Sequence, residues 1–363
     1  MNSTPPKQVD YLIVGQGIAG TILAHFLQKS GCSIHVIDNA NPRSSTAVAA
    51  GLINPVTGRH FVKSWRVEEF LPTAVETYRE LERKFDTKLY HSRNIVRAIF
   101  NAGEQNEWLA RTTLPGYDRF VVDPIAAEEF DGFVTEVYDF IEINEGAKVD
   151  VGRLIEIFRN DLKAKAMFTE GQFDYDLLRF NEEEIEYEGI VAKKVIFCEG
   201  AQVKKNPFFN YLPFLGDKGE ILIVKIPDSG FEKILKHKVY LIPTGEKDTY
   251  WVGATMQRDF KTVEPTQKAQ DELVRKLEKV LTVPFEIIDH QAAVRPTVRD
   301  RRPFIGPHPE MPALFLFNGM GSKGTSLVPF WAKHTVQHLL ENTRLDKEVD
   351  IQKYFRYFEH QEL

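Results

Sequence analysis

The sequence predicts an α/β chain in which a parallel, nucleotide-binding sheet is interrupted by an antiparallel layer. Three observations predict it. A glycine turn lies between an apolar strand and a helix at the start, a second glycine turn opens another helix near the end, and the strands between them lack a βαβ rhythm. At 363 residues the chain exceeds what one core usually serves, which fits two domains.

Tyr11, Leu12, Ile13 and Val14 form a short apolar run, followed at once by Gly15-Gln16-Gly17-Ile18-Ala19-Gly20. In this G-x-G-x-x-G pattern the first glycine takes the tight bend, the second lets the backbone approach a pyrophosphate, and the third lets helix and strand pack closely. The helix, over residues 18–30, aims its free amides and positive dipole end at the phosphates. A second strand over residues 33–37 ends in Asp38, at the distance where a carboxylate accepts ribose hydroxyls and repels a 2′-phosphate. Strand, turn, helix and acid together point to a dinucleotide.

Residues 39–58 are rich in small side chains, Ser44, Ser45, Ala50 and Gly51 among them. Yet Val48, Leu52, Ile53 and Val56 are too apolar for a solvated linker, so an ordered segment is expected there. Ser64 is the expected cap of a helix through Phe70, Leu71, Ala74, Tyr78 and Leu81. Strands are expected at 91–100, 120–122 and 132–138, with a short helix at 104–111. Helical spacing returns at 151–165, and strands are expected at 176–180 and 190–197, the latter running into Glu199-Gly200-Ala201. Antiparallel strands at 219–226, 239–242 and 249–255, with a turn at Gly245, precede an amphipathic helix at 267–281. Last come Arg295-Pro296, the basic cluster Arg299-Asp300-Arg301-Arg302, and a strand at 313–317. That strand enters Asn318-Gly319-Met320-Gly321-Ser322-Lys323-Gly324, with Thr325 as the expected cap of the final helix.

The composition, 43% hydrophobic and 27% charged, is that of an ordinary globular protein. A net charge of −6 gives no global attraction for nucleic acid or anionic membrane. Cys32 and Cys198, without CxxC spacing, fit a reducing compartment and argue against zinc or iron–sulfur sites. The first ten residues lack an apolar leader core and no stretch has the length of a membrane span, so a cytoplasmic location is expected.

Two helix-opening glycine turns, only one bearing the nucleotide fingerprint, suggest a ligand that is a dinucleotide at one end and something else at the other. FAD fits. Its pyrophosphate takes the first turn and its isoalloxazine reaches the second, where the helix dipole and Lys323 oppose negative charge on the reduced ring.

On these motifs, together with Val149-Asp150, Tyr240-Leu241-Ile242-Pro243, Gly253-Ala254-Thr255 and Pro303-Phe304-Ile305-Gly306, the chain resembles the D-amino-acid oxidase superfamily of FAD-dependent oxidoreductases. This superfamily includes glycine and sarcosine oxidases and the oxidase half of a tRNA wobble-uridine modification enzyme. The resemblance covers nearly the whole chain. It implies a Rossmann-type FAD-binding domain in pieces (1–85, 146–215 and 293–363) with an inserted antiparallel β-sheet substrate domain (86–145 and 216–292).

It also implies non-covalent FAD held by Gly15, Gly17, Ile18, Ala19, Gly20 and Asp38, by Ser44, Ser45, Ala50, Gly51, Ile53 and Asn54, and by Glu199 and Gly200. At the ring end the holders are Gly306, Gly319, Met320, Gly321, Ser322, Lys323, Gly324 and Thr325. Met320 stands where many relatives have His. Arg295 is implied to pair a substrate carboxylate and Tyr240 to lie over the substrate, in an oxidation that moves hydride from the carbon beside an amine to the flavin. Alternatives are a tRNA carboxymethylaminomethyl-uridine oxidase, for which the basic run Arg59, His60, Lys63 and Arg66 offers a docking face, a flavin-binding sensor without turnover, and a nicotinamide dehydrogenase. The sequence assigns no oligomeric state.

Overall fold

The strand Lys7–Val14 forms where apolar β-formers are consecutive, and both of its faces are covered, as the central strand of a parallel sheet requires. A computed structural model describes residues 6–181 and 184–359 of the chain. Residues 1–5, on which the reading of the leader region partly falls, lie outside the described residues.

The chain divides into two compact units, the first comprising residues 1–47, 151–217 and 294–363 and the second residues 48–150 and 218–293. The first boundary thus falls at 47/48 instead of after 85. Residues 52–53 and the helix Val67–Phe85 build a layer with the strands Tyr90–Ser92 and Ala147–Val149, and that places them in the second unit.

In the first unit the parallel strands run Phe168–Glu170, Ile34–Asp38, Lys7–Val14, Ile190–Phe197 and Leu314–Asn318. The long strand Ile190–Phe197 serves two partners along one edge. Its first half pairs antiparallel with Ile185–Tyr187 (Ile185 opposite Ala192) and its second half parallel with Leu314–Asn318 (Val195 opposite Leu314). Leu12, Val195, Phe197 and Leu314 are fully buried in its core, and the helices Ile18–Lys29, Val151–Ala164 and Gly324–Glu341 belong to the same unit.

The second unit carries an eight-stranded sheet in the order Glu286–Arg295, Asp217–Lys225, Thr249–Gly253, Tyr240–Pro243, Ile234–Lys236, Ile95–Ile99, Asp139–Ile143 and Val121–Val122; Asp217 and residues 294–295, at the ends of the first two strands, are counted with the first unit. One pair in it, Ile234–Lys236 with Ile95–Ile99, is parallel. One face is sealed by the helix Gln267–Leu277, whose Leu273 and Leu277 pack with Val96, Leu222, Leu235, Leu241 and Val252. Each such leucine removed from water contributes about 1.5–3 kcal/mol.

Several local expectations need correction. Ser64 does not cap the helix at 67; its hydroxyl donates to the Asn54 carbonyl at 2.8 Å, and Arg66 occupies the cap position with φ 46°. The expected strand at 91–100 is two strands in different sheets, broken where the Arg93 amide turns to Gly146 O. Residues 132–138 form no strand, while Asp139–Ile143 and Glu286–Arg295 are strands that the pattern did not show. The helix after the second glycine turn begins at Gly324 with Lys323 at the cap, one residue before Thr325.

Candidate active site

At the end of the strand Lys7–Val14, Gly15 takes φ 98° and donates its amide to Ile37 O at 2.8 Å. A Cβ there would stand 2.6 Å from Cys198 O, and one at Gly20 would stand 1.9 Å from Gly15 O. Only glycine allows strand, turn and helix to approach this closely. The Ile18 amide donates to Thr46 Oγ1 at 3.1 Å, and the first-turn amides of Ala19 and Gly20 have no partner within the helix. The result is a glycine turn that opens a helix whose Ala19 and Gly20 amides lack helical partners, which is what a pyrophosphate needs.

Asp38 Oδ2 accepts from the Gln16 amide and Oδ1 from the Ala40 amide, both at 2.7 Å, while Arg159 Nη2 lies 3.4 Å from Oδ1. Arg159 also donates to Gln16 Oε1 at 2.6 Å. Gln16, Thr46 and Arg159 brace the turn, and sequence reasoning gave them no part in the site. Gln16 and Thr46 lay inside segments already singled out, whereas nothing local marked Arg159.

The second turn lies at the end of Leu314–Asn318. Gly319 has φ 82° and Gly321 φ 57°, and the Gly321 amide donates to Pro296 O at 3.2 Å. A Cβ on Gly324 would sit 3.3 Å from Ile18 Cγ2, so the openings of the two helices touch. The Asn318 side chain donates to Gly200 O at 3.0 Å. The ends of three neighbouring parallel strands, at Gly15, at residues 198–200 and at 318–319, thereby meet at one edge of the sheet, the place where such sheets bind nucleotide ligands. Met320 and Thr325 are buried here, Lys323 is half-buried and Ser322 is exposed. Burial and the cations Arg301 and Arg302 lower the Lys323 ammonium below the usual lysine range.

Other expected residues are placed differently. The Glu199 carboxyl is bonded within the protein: Tyr175 OH donates to one oxygen and Asn206 Nδ2 to the other, at 2.8 Å. Gly306, read from sequence as a cofactor contact, is accounted for by packing, because a Cβ there would meet Ile351 Cγ1 at 2.8 Å. Ser44 Oγ accepts from the Ala47 amide at 3.2 Å and Ser45 begins a single helical turn, both in the first unit.

Ala50, Gly51, Ile53 and Asn54 belong to the second unit, where Gly51 (φ 71°) lets residue 51 pair with Val149. Asn54 Nδ2 donates to Tyr240 OH at 3.0 Å. Arg295, in the first unit, is half-buried with no ion pair among the described residues; burial lowers its guanidinium, and the field of Asp217 opposes that shift. The basic run is not a free cationic face: His60 meets Glu107 at 2.6 Å, Lys63 bonds Glu68, and Arg66 meets Glu69 at 2.6 Å.

Burial raises Glu199 to about 7, against the hydrogen bonds from Asn206 and Tyr175 that favour its charged form. The folded state therefore binds more protons than the unfolded chain between the ordinary value of 4.5 and about 7. The stabilisation is full below that window and is lost as pH rises through it. Glu199→Gln is expected to flatten this stretch of the Tm-against-pH curve; a slope identical to the wild type's would refute the assignment.

These features define an α/β oxidoreductase fold with one extended dinucleotide site. Residues 10–338 match the DAO family of FAD dependent oxidoreductases, and the chain belongs to that family. The glycine turn fits the pyrophosphate of FAD, and the protein is an FAD-dependent oxidoreductase.

Among curated relatives, the glycine oxidase of Bacillus licheniformis is 23% identical, over 93% of this chain and 94% of that protein. The bifunctional tRNA 5-methylaminomethyl-2-thiouridine biosynthesis protein of Idiomarina loihiensis is 22% identical over 89% of this chain. The chain spans about half that relative's length (54%). Iminodiacetate oxidase from Chelativorans sp. BNC1 shares the fold with a TM-score of 0.74 at 21% identity, covering 95% of this chain and 98% of that one. Among the described residues no helix is long and apolar enough to cross a membrane.

Proposed function

We propose that the protein oxidises the carbon–nitrogen bond of a small amine or amino acid bearing a carboxylate. One observation carries this reading: the half-buried Arg295 guanidinium has no ion pair among the described residues, and it precedes Pro296, whose carbonyl holds the Gly321 amide of the second glycine turn. A planar, desolvated fork of donors without a bound acid is a carboxylate receptor. Bound FAD supplies the hydride acceptor at its ring.

Arg295 holds the substrate by its carboxylate. Tyr240, its hydroxyl fixed by Asn54, orients the substrate, and burial raises that phenol above the usual tyrosine range so that it stays protonated. Lys323 and the opening of the helix Gly324–Glu341 would supply positive charge to the ring of bound FAD. The substrate carbon gives up hydride, the amine loses a proton to solvent, and water hydrolyses the imine to a carbonyl compound and free amine.

The family, the glycine oxidase relative and the iminodiacetate oxidase fold all agree with a carboxylated amine as substrate. The tRNA-acting relatives favour a second reading, oxidation of a carboxymethylaminomethyl group on RNA; the pairing of His60, Lys63 and Arg66 with acids weakens the docking face it would use and leaves Arg59 without a carboxylate partner among the described residues. Adding N-substituted glycines, D-amino acids or proline analogues to the anaerobic yellow protein is expected to bleach its flavin absorbance within one catalytic cycle. Absence of bleaching by every such amine would sink the proposal, and bleaching only by modified tRNA would move it to the second reading.

A further inference from the structure

The eight-stranded sheet of the second unit presents a row of charge on the face opposite the helix Gln267–Leu277. Lys236 is the register partner of Arg97 on one neighbouring strand and of Tyr240 on the other. Side chains directly opposite each other share a face, so these three stand together, while Leu235, Val96 and Leu241 point the other way into the core beneath the helix. Lys236 Nζ lies 4.4 Å from the centroid of the Tyr240 ring. The Arg97 guanidinium carbon lies 4.0 Å from the centroid of Phe61, and its Nη1 donates to Gly58 O at 2.7 Å, which leaves its other donors for a ligand.

Both cations are half-buried, and neither has a carboxylate at ion-pair distance among the described residues. Glu104 and Glu107 act on Arg97 only from farther away, and the neighbouring Lys276 is itself paired with Glu272 at 2.6 Å. Burial and Arg97 draw Lys236 down to about 8. Two like charges on strands about 4.8 Å apart, partly out of water, oppose folding unless an anion joins them. A guanidinium fork beside an ammonium suits a carboxylate.

We infer that Arg97 and Lys236 form a carboxylate site of their own within the second unit, which selects amine substrates carrying a second carboxylate. The inference rests on the reading of Tyr240 given above, because Lys236 stands against that ring and would take the remote end of whatever Tyr240 orients.

The test uses the purified FAD-loaded protein and two inert probes, succinate and propionate, followed by calorimetry and by perturbation of the flavin spectrum. Wild type is expected to bind succinate at least tenfold more tightly than propionate. In Lys236→Met that ratio should fall to about one, and Lys236→Arg should restore most of it. A ratio near one in wild type, an unchanged ratio in Lys236→Met, or inorganic phosphate binding more tightly than succinate would overturn the inference. The two readings fail separately: if no amine bleaches the flavin while succinate binding still depends on Lys236, amine oxidation falls and the carboxylate site stands.

Discussion

Gly20→Ala is expected to yield a protein that no longer retains FAD and melts well below wild type. The added Cβ would lie 1.9 Å from Gly15 O and 3.0 Å from the carbonyl carbon of the same residue. Both are backbone atoms of the turn that receives the pyrophosphate, so no side chain can swing aside to relieve the overlap. Either the helix Ile18–Lys29 withdraws from the sheet or the turn opens, and each outcome moves the amides of Ala19 and Gly20 away from the phosphates. Overpacking of this kind costs about 1–3 kcal/mol in a well-packed core, and cofactor stabilisation is lost on top of it.

The ratio of flavin to protein absorbance and the melting temperature are the readouts. A yellow Gly20→Ala protein with wild-type Tm would show that the turn does not hold the cofactor. Gly152→Ala serves as the control. It lies in the helix Val151–Ala164 with nothing within 4 Å of its added Cβ, so helix propensity alone acts there and favours alanine by up to about 1 kcal/mol.

The nucleotide half of the fold was legible because its chemistry is local: strand, three glycines, helix and Asp38 follow within a single βαβ unit. The two meeting turns were legible for a related reason, since each glycine run exists to let backbone approach backbone. What stayed hidden was set by distant partners. The strand Glu286–Arg295 carries Asp289, His290 and Gln291 in mid-run, a poor strand pattern, and its His290 faces the buried Glu220 at 2.9 Å, 70 positions away by the numbering. Residues 132–138 look like a strand, but Phe133 packs edge-on against Phe231 at 5.4 Å instead of entering a ladder. Gly306 and Glu199 show that one residue can serve more than one need. Their motifs suggested ligand contacts, and the protein's own Ile351 packs against the one while Tyr175 and Asn206 bond the other. A glycine needed for packing and one needed for a ligand are indistinguishable until the neighbouring atoms are known.

Arg295→Leu is expected to raise KM for carboxylate-bearing amines by at least a hundredfold while the protein stays yellow. The hydrogen bond next to Arg295 in the chain, from the Gly321 amide to Pro296 O, is made by backbone and survives the change. Truncating one partner of a desolvated, hydrogen-bonded charge pair costs about 2–5 kcal/mol, because the other charge is left buried and unpaired. In this variant the bereft charge is the substrate carboxylate, so the loss falls on binding, with a smaller loss for amines that lack a carboxylate. Arg295→Lys should recover only part, since an ammonium restores charge without the two-pronged geometry. The comparison of kcat/KM between carboxylated and carboxylate-free amines across the three proteins reads this out. Equal losses for both substrate classes would reduce Arg295 to a packing residue whose field merely balances Asp217, and an unchanged KM would remove it from the site altogether.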